Sequence, residues 1–322
     1  MPTRSTAWLR CLAVAACACQ PARTPRPEPP PPEEQALLAA RDRGDVVAMR
    51  AHGWALWAWL GDRWPSWPSS DVVIGQPDRV LRPLRPFRNG DTIEAEALPV
   101  MFSVVFDPTA AAHIRRYQLG SRTALRRYAA VPEFPRAAIA LKLVWYPVHR
   151  DRRTALPIWD GVAANPDARG NPDRTWPRSI AIDPSLALGD HLVLLGMHAT
   201  TKEIPDWVWA TYWWHDRPDD GRFAAGRPTT LTGAARHYLM DVAYSAETPV
   251  EADGTPPACM NPWLEARFPG GLHSNCLTCH QRAALGAADF LPVTRQALAD
   301  DDPYFAGKTT TDFLWTLALE AH

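Results

Sequence analysis

The sequence predicts an α+β fold with a mostly antiparallel β core, flanking helices and a short helical segment at the C-terminal end. Three observations lead to this fold class. Residues 34–62 carry apolar side chains at helical spacing, and the middle of the chain carries several apolar or alternating runs of strand length. From about residue 250 the sequence is rich in loop-forming residues until a last helical stretch.

The helices are expected in three regions. Residues 34–62 form the first, which Gly44 and Gly53 are expected to break into two or three pieces. Residues 108–130 form one or two helices, with Asp107 as the N-cap and Pro108 in the first turn. Residues 309–321 form the last, because Thr309 and Asp312 have the spacing of a capping box before an apolar stripe.

The strands are expected where apolar or alternating runs are long enough to cross a sheet, and residues 150–176 between them read as loop. These runs are residues 97–107, 137–148, 179–183, 191–201 and 206–215. The last run alternates two bulky faces, so we expect a central strand or one that is covered on both sides. One face carries Trp207, Trp209, Thr211 and Trp213, and the other carries Val208, Ala210, Tyr212 and Trp214.

The N-terminal segment resembles a bacterial lipoprotein signal. Arg4 and Arg10 give a positive start, Cys11–Ala16 is a short apolar run, and small or aliphatic residues stand three and one positions before Cys17. We therefore expect cleavage before Cys17 and lipidation of that cysteine, with Cys19 as the alternative. A plain secretory signal or a wrongly assigned start codon are the other interpretations.

The domain boundaries follow from composition. Four consecutive prolines after the signal favour an extended polyproline II spacer, which would hold a domain away from a membrane. We predict four segments, with signal peptide at 1–16, Pro-rich tether at 17–33, Trp-rich α+β domain at 34–250 and a C-terminal segment at 251–322. The mature protein is expected to be exported and to be anchored by lipid to the periplasmic face of the outer membrane.

Charge argues against nucleic acid as a partner. Removal of residues 1–16 takes away two arginines and no acidic residue, so 34 basic and 35 acidic residues become 32 and 35, a net charge of −3. Nucleic-acid binding needs a basic stripe. The 15 tryptophans are several times the usual share, and most of them are expected to fill a β core.

The pattern C-x-x-C-H occurs at Cys276, Cys279 and His280. Random placement of 6 cysteines and 10 histidines in this chain would give roughly 0.003 matches, so chance does not explain it. In c-type haem attachment the two thiols add to the haem vinyl groups and the adjacent histidine binds iron. A closed zinc site needs four ligands, and the chain has no second paired cluster. A redox dithiol is expected to open a helix after a strand, whereas a loop precedes this motif.

With this motif and an export signal, the chain resembles an exported bacterial monohaem c-type cytochrome. The stretches "GMHATTKEIPDWVWATYWW", "CMNPWLEARFPGGLHSNCLTCH" and "TDFLWTLALEA" also resemble cytochrome c family proteins with a Trp-rich β domain before the haem segment. The resemblance implies one covalent haem c, electron transfer in the cell envelope and a redox partner protein there. Electron transfer is favoured over an enzyme, and no catalytic residue is assigned.

The sixth iron ligand must come from upstream, because no methionine follows His280. His198 and Met260 are the candidates, and His215 or an open iron are the alternatives; His273 is too close in sequence to cross the haem. Two protein ligands would suit electron transfer, whereas an open iron would suit a haem-dependent oxidoreductase or a ligand sensor. The remaining cysteine of the C-terminal segment, Cys259, is expected to be a buried free thiol.

Overall fold

The computed structural model describes residues 34–61, 63–76, 82–83, 100–148, 156–157, 169–170, 191–219, 221–287 and 295–322. It confirms the predicted α+β class, with helices beside a mostly antiparallel sheet. Cys17, the predicted tether and the predicted strand at 179–183 lie outside the described residues. So do residues 97–99 and most of the predicted loop at 150–176.

Seven helices and ten strands are numbered here in chain order within the described part of the chain. The helices are α1 (Glu34–Asp42), α2 (Val46–Leu60), α3 (Ser70–Ile74), α4 (Pro108–Arg116), α5 (Arg122–Leu125), α6 (Cys276–His280) and α7 (Trp315–Glu320). The strands are β1 (Arg82–Pro83), β2 (Met101–Phe106), β3 (Ile139–Val148), β4 (Leu156–Pro157), β5 (Arg169–Gly170), β6 (His191–Thr201), β7 (Val208–Trp214), β8 (Tyr238–Ala243), β9 (Ala284–Leu285) and β10 (Thr309–Thr310).

The core is one six-stranded sheet with the order β1-β2-β3-β6-β7-β8, in which every neighbouring pair is antiparallel. The register places one polar row across its middle. This row runs through Lys142, His198, Thr211 and Asp241. The prediction of a covered central strand is confirmed for Val208–Trp214, because β7 lies between β6 and β8 and all its residues are buried. Trp207, which was expected on one face of this strand, lies before it with a φ of +63°.

One face of the sheet packs against α2 and is mainly apolar. Trp57 of α2 stacks on Tyr212 of β7 with ring centroids 4.6 Å apart. Gly53 was expected to break the helix, but it lies inside α2. A Cβ atom there would approach the Met240 side chain to 3.2 Å, so the glycine allows close packing of α2 on β8. Gly44 does separate α1 from α2, with φ of +60°.

The other face of the sheet carries the polar row and packs against the C-terminal segment, including α6. Leu277 of α6 and Trp209 of β7 belong to the same buried apolar cluster. The predicted cap of α4 is confirmed, since the Asp107 carboxylate accepts hydrogen bonds from the Thr109 and Ala110 amides at 3.0 and 2.9 Å. No helix in the described ranges has the length and apolarity that a bilayer crossing requires.

The predicted helix at 309–321 is wrong in its first half. Thr309 and Thr310 form β10, which pairs with β9, and α7 begins only at Trp315. Asp312 has a φ of +45°, which is not helical, and its side chain accepts a hydrogen bond from the Phe134 amide. Distant partners of Asp312 therefore override the local capping signal.

Candidate functional site

The C-x-x-C-H motif forms a single helical turn, α6. The turn begins there because the Asn275 side chain accepts hydrogen bonds from the amides of Leu277 and Thr278, at 3.0 and 3.3 Å. Residues three and four apart share one side of a helix, so Cys276 has Cys279 and His280 beside it. Cys276 is buried at 6 % exposure. Cys279 and His280 are partly exposed.

His280 is held in one orientation by a backbone carbonyl. Its Nδ1 lies 2.8 Å from the Phe313 oxygen, and a carbonyl can only accept, so Nδ1 must carry the proton. The lone pair is then on Nε2, for which no hydrogen-bond partner is seen in the described part of the chain. The ring packs against Trp209 with centroids 4.3 Å apart. Burial lowers the pKa of His280 to about 3, so the ring is neutral at neutral pH.

His198 lies on the same face of the sheet as Trp209. It pairs with Thr211, two residues along β7 from Trp209, and such diagonal neighbours are roughly 7–8 Å apart. Since Trp209 packs on the ring of His280, the two histidines belong to one neighbourhood. The charges of His198 and Lys142 accordingly contribute to the lowered pKa of His280, after burial.

A hydrogen-bonded chain connects His198 to the segment before α6. The His198 Nε2 atom lies 2.9 Å from Glu265 Oε1, and Glu265 Oε2 accepts from the Asn261 amide at 2.5 Å. The Asn261 side chain donates to Thr211 Oγ1 at 2.9 Å, which returns the chain to the sheet. Burial alone would raise the pKa of Glu265, but His198 and the Asn261 amide lower it overall. Glu265 is therefore an ionised carboxylate beside His198.

The other candidate sixth ligands are placed differently. Met260 is 2 % exposed and packs with Trp213 and Trp263, in a cluster separate from that of Cys276. His215 follows the far end of β7, six residues from Trp209, which is about 20 Å at the rise of a strand. His273 is exposed in a short 3₁₀ turn. Of these four candidates for the sixth iron ligand, only His198 has its side chain in the neighbourhood of His280.

Cys259 is a free, buried thiol, as predicted, and it lies against the motif. The Cys276 thiol donates to the Cys259 carbonyl at 3.1 Å, and the Cys276 amide donates to the same carbonyl at 3.0 Å. The neighbouring Cys259 side chain and burial together raise the pKa of Cys276 well above its usual value, and the pKa of Cys259 is also raised. Both thiols are therefore protonated at neutral pH. Nothing in the sequence pattern indicated this contact.

The donor set of the motif fits one of the two groups that its spacing suggests, zinc and haem. Within the described ranges, no three or more His, Cys, Asp and Glu side chains are grouped as metal ligands, whereas a structural zinc site needs four. Haem c needs two thiols and one imidazole nitrogen with a free lone pair. Cys276, Cys279 and His280 Nε2 supply this set on one turn of helix, so these residues fit haem.

A groove of about 1090 Å³ lies beside α6. Leu277 and Gln281 line it on the α6 side, and Lys202, Asp312 and Phe313 line it elsewhere. The groove therefore borders the segment whose carbonyl holds His280. Sequence reasoning missed Phe313, Glu265 and Asp312 as neighbours of the motif.

Comparisons with protein-family models, with curated proteins and with solved structures found no match. The candidate site consists of the motif on α6, the hydrogen bond from His280 to Phe313 and the pair His198–Glu265.

Proposed function

We propose that this protein is a monohaem c-type cytochrome that transfers electrons in the bacterial cell envelope. The observation that carries the proposal is the 2.8 Å hydrogen bond between His280 Nδ1 and the Phe313 carbonyl. Histidines that bind metals usually donate their second ring N–H to a carbonyl or carboxylate, which fixes the tautomer and raises the basicity of the ligating nitrogen. A buried histidine with only a structural role also pairs a ring N–H, but Nε2 of His280 has no hydrogen-bond partner in the described part of the chain, and His280 shares a helical turn with two cysteines.

Each residue of the motif has a role in this proposal. Cys276 and Cys279 would hold the haem through thioether bonds, and His280 would bind iron through Nε2. When bound, haem supplies a one-electron redox couple. The chain keeps the proton on Nδ1 through Phe313, and Trp209 covers the imidazole. Both contacts restrict reorientation of the ligand, which favours electron transfer with little reorganisation.

As a second protein ligand that would hold the iron we propose His198 rather than Met260. The His198 ring shares the neighbourhood of His280, whereas the Met260 side chain packs in a separate apolar cluster. Nε2 of His198 is bonded to Glu265, so ligation through Nε2 requires that this hydrogen bond be released. The Glu265 carboxylate would then stabilise the positive charge of ferric iron.

The hydrogen bond between His198 and Glu265 also favours a second candidate function. If Glu265 keeps Nε2 of His198, the iron is open, and a histidine–carboxylate pair beside it could move a proton during reaction with a small ligand. The protein would then be a haem-dependent oxidoreductase or a ligand sensor. The distinction between the two functions is whether iron has one protein ligand or two.

The location in the envelope and the partner are proposed from the sequence. Lipidation at Cys17 and the Pro-rich tether would place the domain at the periplasmic face of the outer membrane, and a redox partner protein of the envelope would exchange electrons with it.

The test is the optical spectrum of the full-length protein, produced with cytochrome c maturation machinery, with and without carbon monoxide. A low-spin ferrous spectrum that carbon monoxide leaves unchanged supports two protein ligands and electron transfer. A high-spin or carbon monoxide-sensitive spectrum supports the open site instead. Absence of covalent haem, measured as a pyridine haemochrome, would reject both.

A further inference from the structure

The segment that holds His280 has a strained backbone. Among the described residues, four non-glycine residues have a positive φ, and three of them are Trp207 (63°), Asp312 (45°) and Phe313 (67°). Non-glycine residues rarely adopt this conformation, and it persists only where surrounding contacts enforce it. The three residues meet in space, since Trp207 Nε1 donates to Asp312 Oδ1 at 3.1 Å.

A buried ion pair enforces the conformation. Lys202 is 1 % exposed, and its Nζ lies 2.6 Å from Asp312 Oδ1. It also donates to the Pro205 carbonyl at 2.6 Å and lies over the Trp207 ring. The second oxygen of Asp312 accepts from the Phe134 amide at 2.9 Å. Three groups, Lys202 Nζ, Trp207 Nε1 and the Phe134 amide, therefore fix Asp312.

The consequence of this anchoring appears at the next residue. Once Asp312 is fixed, Phe313 lies in the left-handed region and its carbonyl reaches His280 Nδ1. The local sequence offered an unstrained alternative, a helix that starts at Thr309 and contains Asp312 in its first turn. In that helix the carbonyl of Phe313 would be directed along the helix to a later amide. The strained conformation leaves it available to His280.

We propose that Lys202 and Asp312 are positioning residues for His280. They hold the Phe313 carbonyl where it keeps the proton on Nδ1, and they thereby set the basicity of Nε2. The part of this proposal that concerns iron rests on the proposed function. The part that concerns the histidine tautomer does not.

The matched variants follow from the geometry. The atom that contacts His280 belongs to the backbone, so no side-chain substitution removes it, and the ion pair is the point of intervention. Lys202→Met removes the cation but leaves Asp312 its two N–H donors, so it is the milder change. Asp312→Asn leaves Lys202 buried beside fewer acceptors. If Asp312→Asn does not fold, the double variant Lys202→Met/Asp312→Asn removes both charges and keeps the test available.

The first measurement is the tautomer of His280, by ¹⁵N NMR of the full-length protein as purified, with or without haem. We expect wild type to hold the proton on Nδ1 and the variants to populate other ring orientations or the Nε2–H tautomer. Arg136→Met is the control. Arg136 pairs with Glu133, which is a second neighbour of Lys202, and no contact between Arg136 and Asp312 is seen among the described residues. Folded Lys202 and Asp312 variants with an unchanged Nδ1–H signal would overturn the proposal.

The second measurement is the reduction potential of the haem-loaded protein. Loss of the hydrogen bond makes the imidazole a weaker donor to ferric iron, so the potential should rise in the Lys202 and Asp312 variants and stay constant in Arg136→Met. A merely structural role would lower stability without moving the potential. If wild type carries no haem, the proposed function fails, and the tautomer result still decides the positioning role.

Discussion

Substitution of Lys202 or Asp312 tests the ion pair through stability, and the contacts predict an asymmetric result. Removing one partner of a buried ion pair typically costs about 3–5 kcal/mol, because the other charge is left without compensation. After Lys202→Met, Asp312 keeps hydrogen bonds from Trp207 and Phe134, so we expect the lower end, about 3 kcal/mol. After Asp312→Asn, Lys202 keeps the Pro205 carbonyl and the more exposed Glu133 carboxylate, so we expect about 5 kcal/mol.

The assay is urea unfolding of wild type, both single variants and the double variant, analysed as a double-mutant cycle. The double variant has no uncompensated charge, so its loss of unfolding free energy should be smaller than that of Asp312→Asn alone. Arg136→Met removes a half-exposed cation and should cost less than about 1 kcal/mol. Equal small losses in both single variants, with no coupling between the sites, would refute the reasoning.

Cys276→Ser or Cys279→Ser should leave at most one thioether and shift the pyridine haemochrome band, and an unshifted band would count against attachment at these residues. His198→Ala should convert a low-spin ferric spectrum to high spin if His198 binds iron, whereas no change would remove His198 as a ligand. Asp241→Asn should stabilise the protein near pH 7 by up to about 3 kcal/mol. Burial raises the pKa of Asp241 from 3.8 to about 6, so ionisation of the wild-type carboxyl lowers the free energy of unfolding as pH rises through that range, whereas asparagine does not ionise. Unfolding of both proteins measured as a function of pH checks this prediction. Cys17→Ser should release the protein from membranes, and retention in the membrane fraction would contradict lipidation.

Elements whose signal lies within a short stretch of sequence could be predicted from that stretch. Asp107 caps α4, and the alternation of β7 buries both of its faces. Gly53 could not be assigned from the sequence alone. The signal that reads as a helix break is a requirement for close packing against Met240, which is almost 200 residues away.

The polar row across the sheet shows a second limit of local reasoning. Lys142, His198 and Thr211 are aligned only because β3, β6 and β7 pair in one register. Each of these residues alone reads as an isolated polar residue in a strand. Strand register depends on non-local pairing, so a row of this kind cannot be obtained from the spacing of residues along the chain.

The candidate site also combines features that are visible in local sequence with features that only the fold supplies. Covalent attachment of haem requires only two thiols and an imidazole on one helical turn, and that local spacing is visible in the sequence as Cys276, Cys279 and His280. The properties of the imidazole depend on groups that the fold supplies from elsewhere. The carbonyl of Phe313 lies 33 residues beyond His280, and it is held by Asp312, whose partner Lys202 is 110 residues before it. Sequence can therefore indicate which cofactor the chain would carry, whereas the redox behaviour of that cofactor would depend on a hydrogen bond that His280 donates to a backbone carbonyl, for which no residue type is a signal.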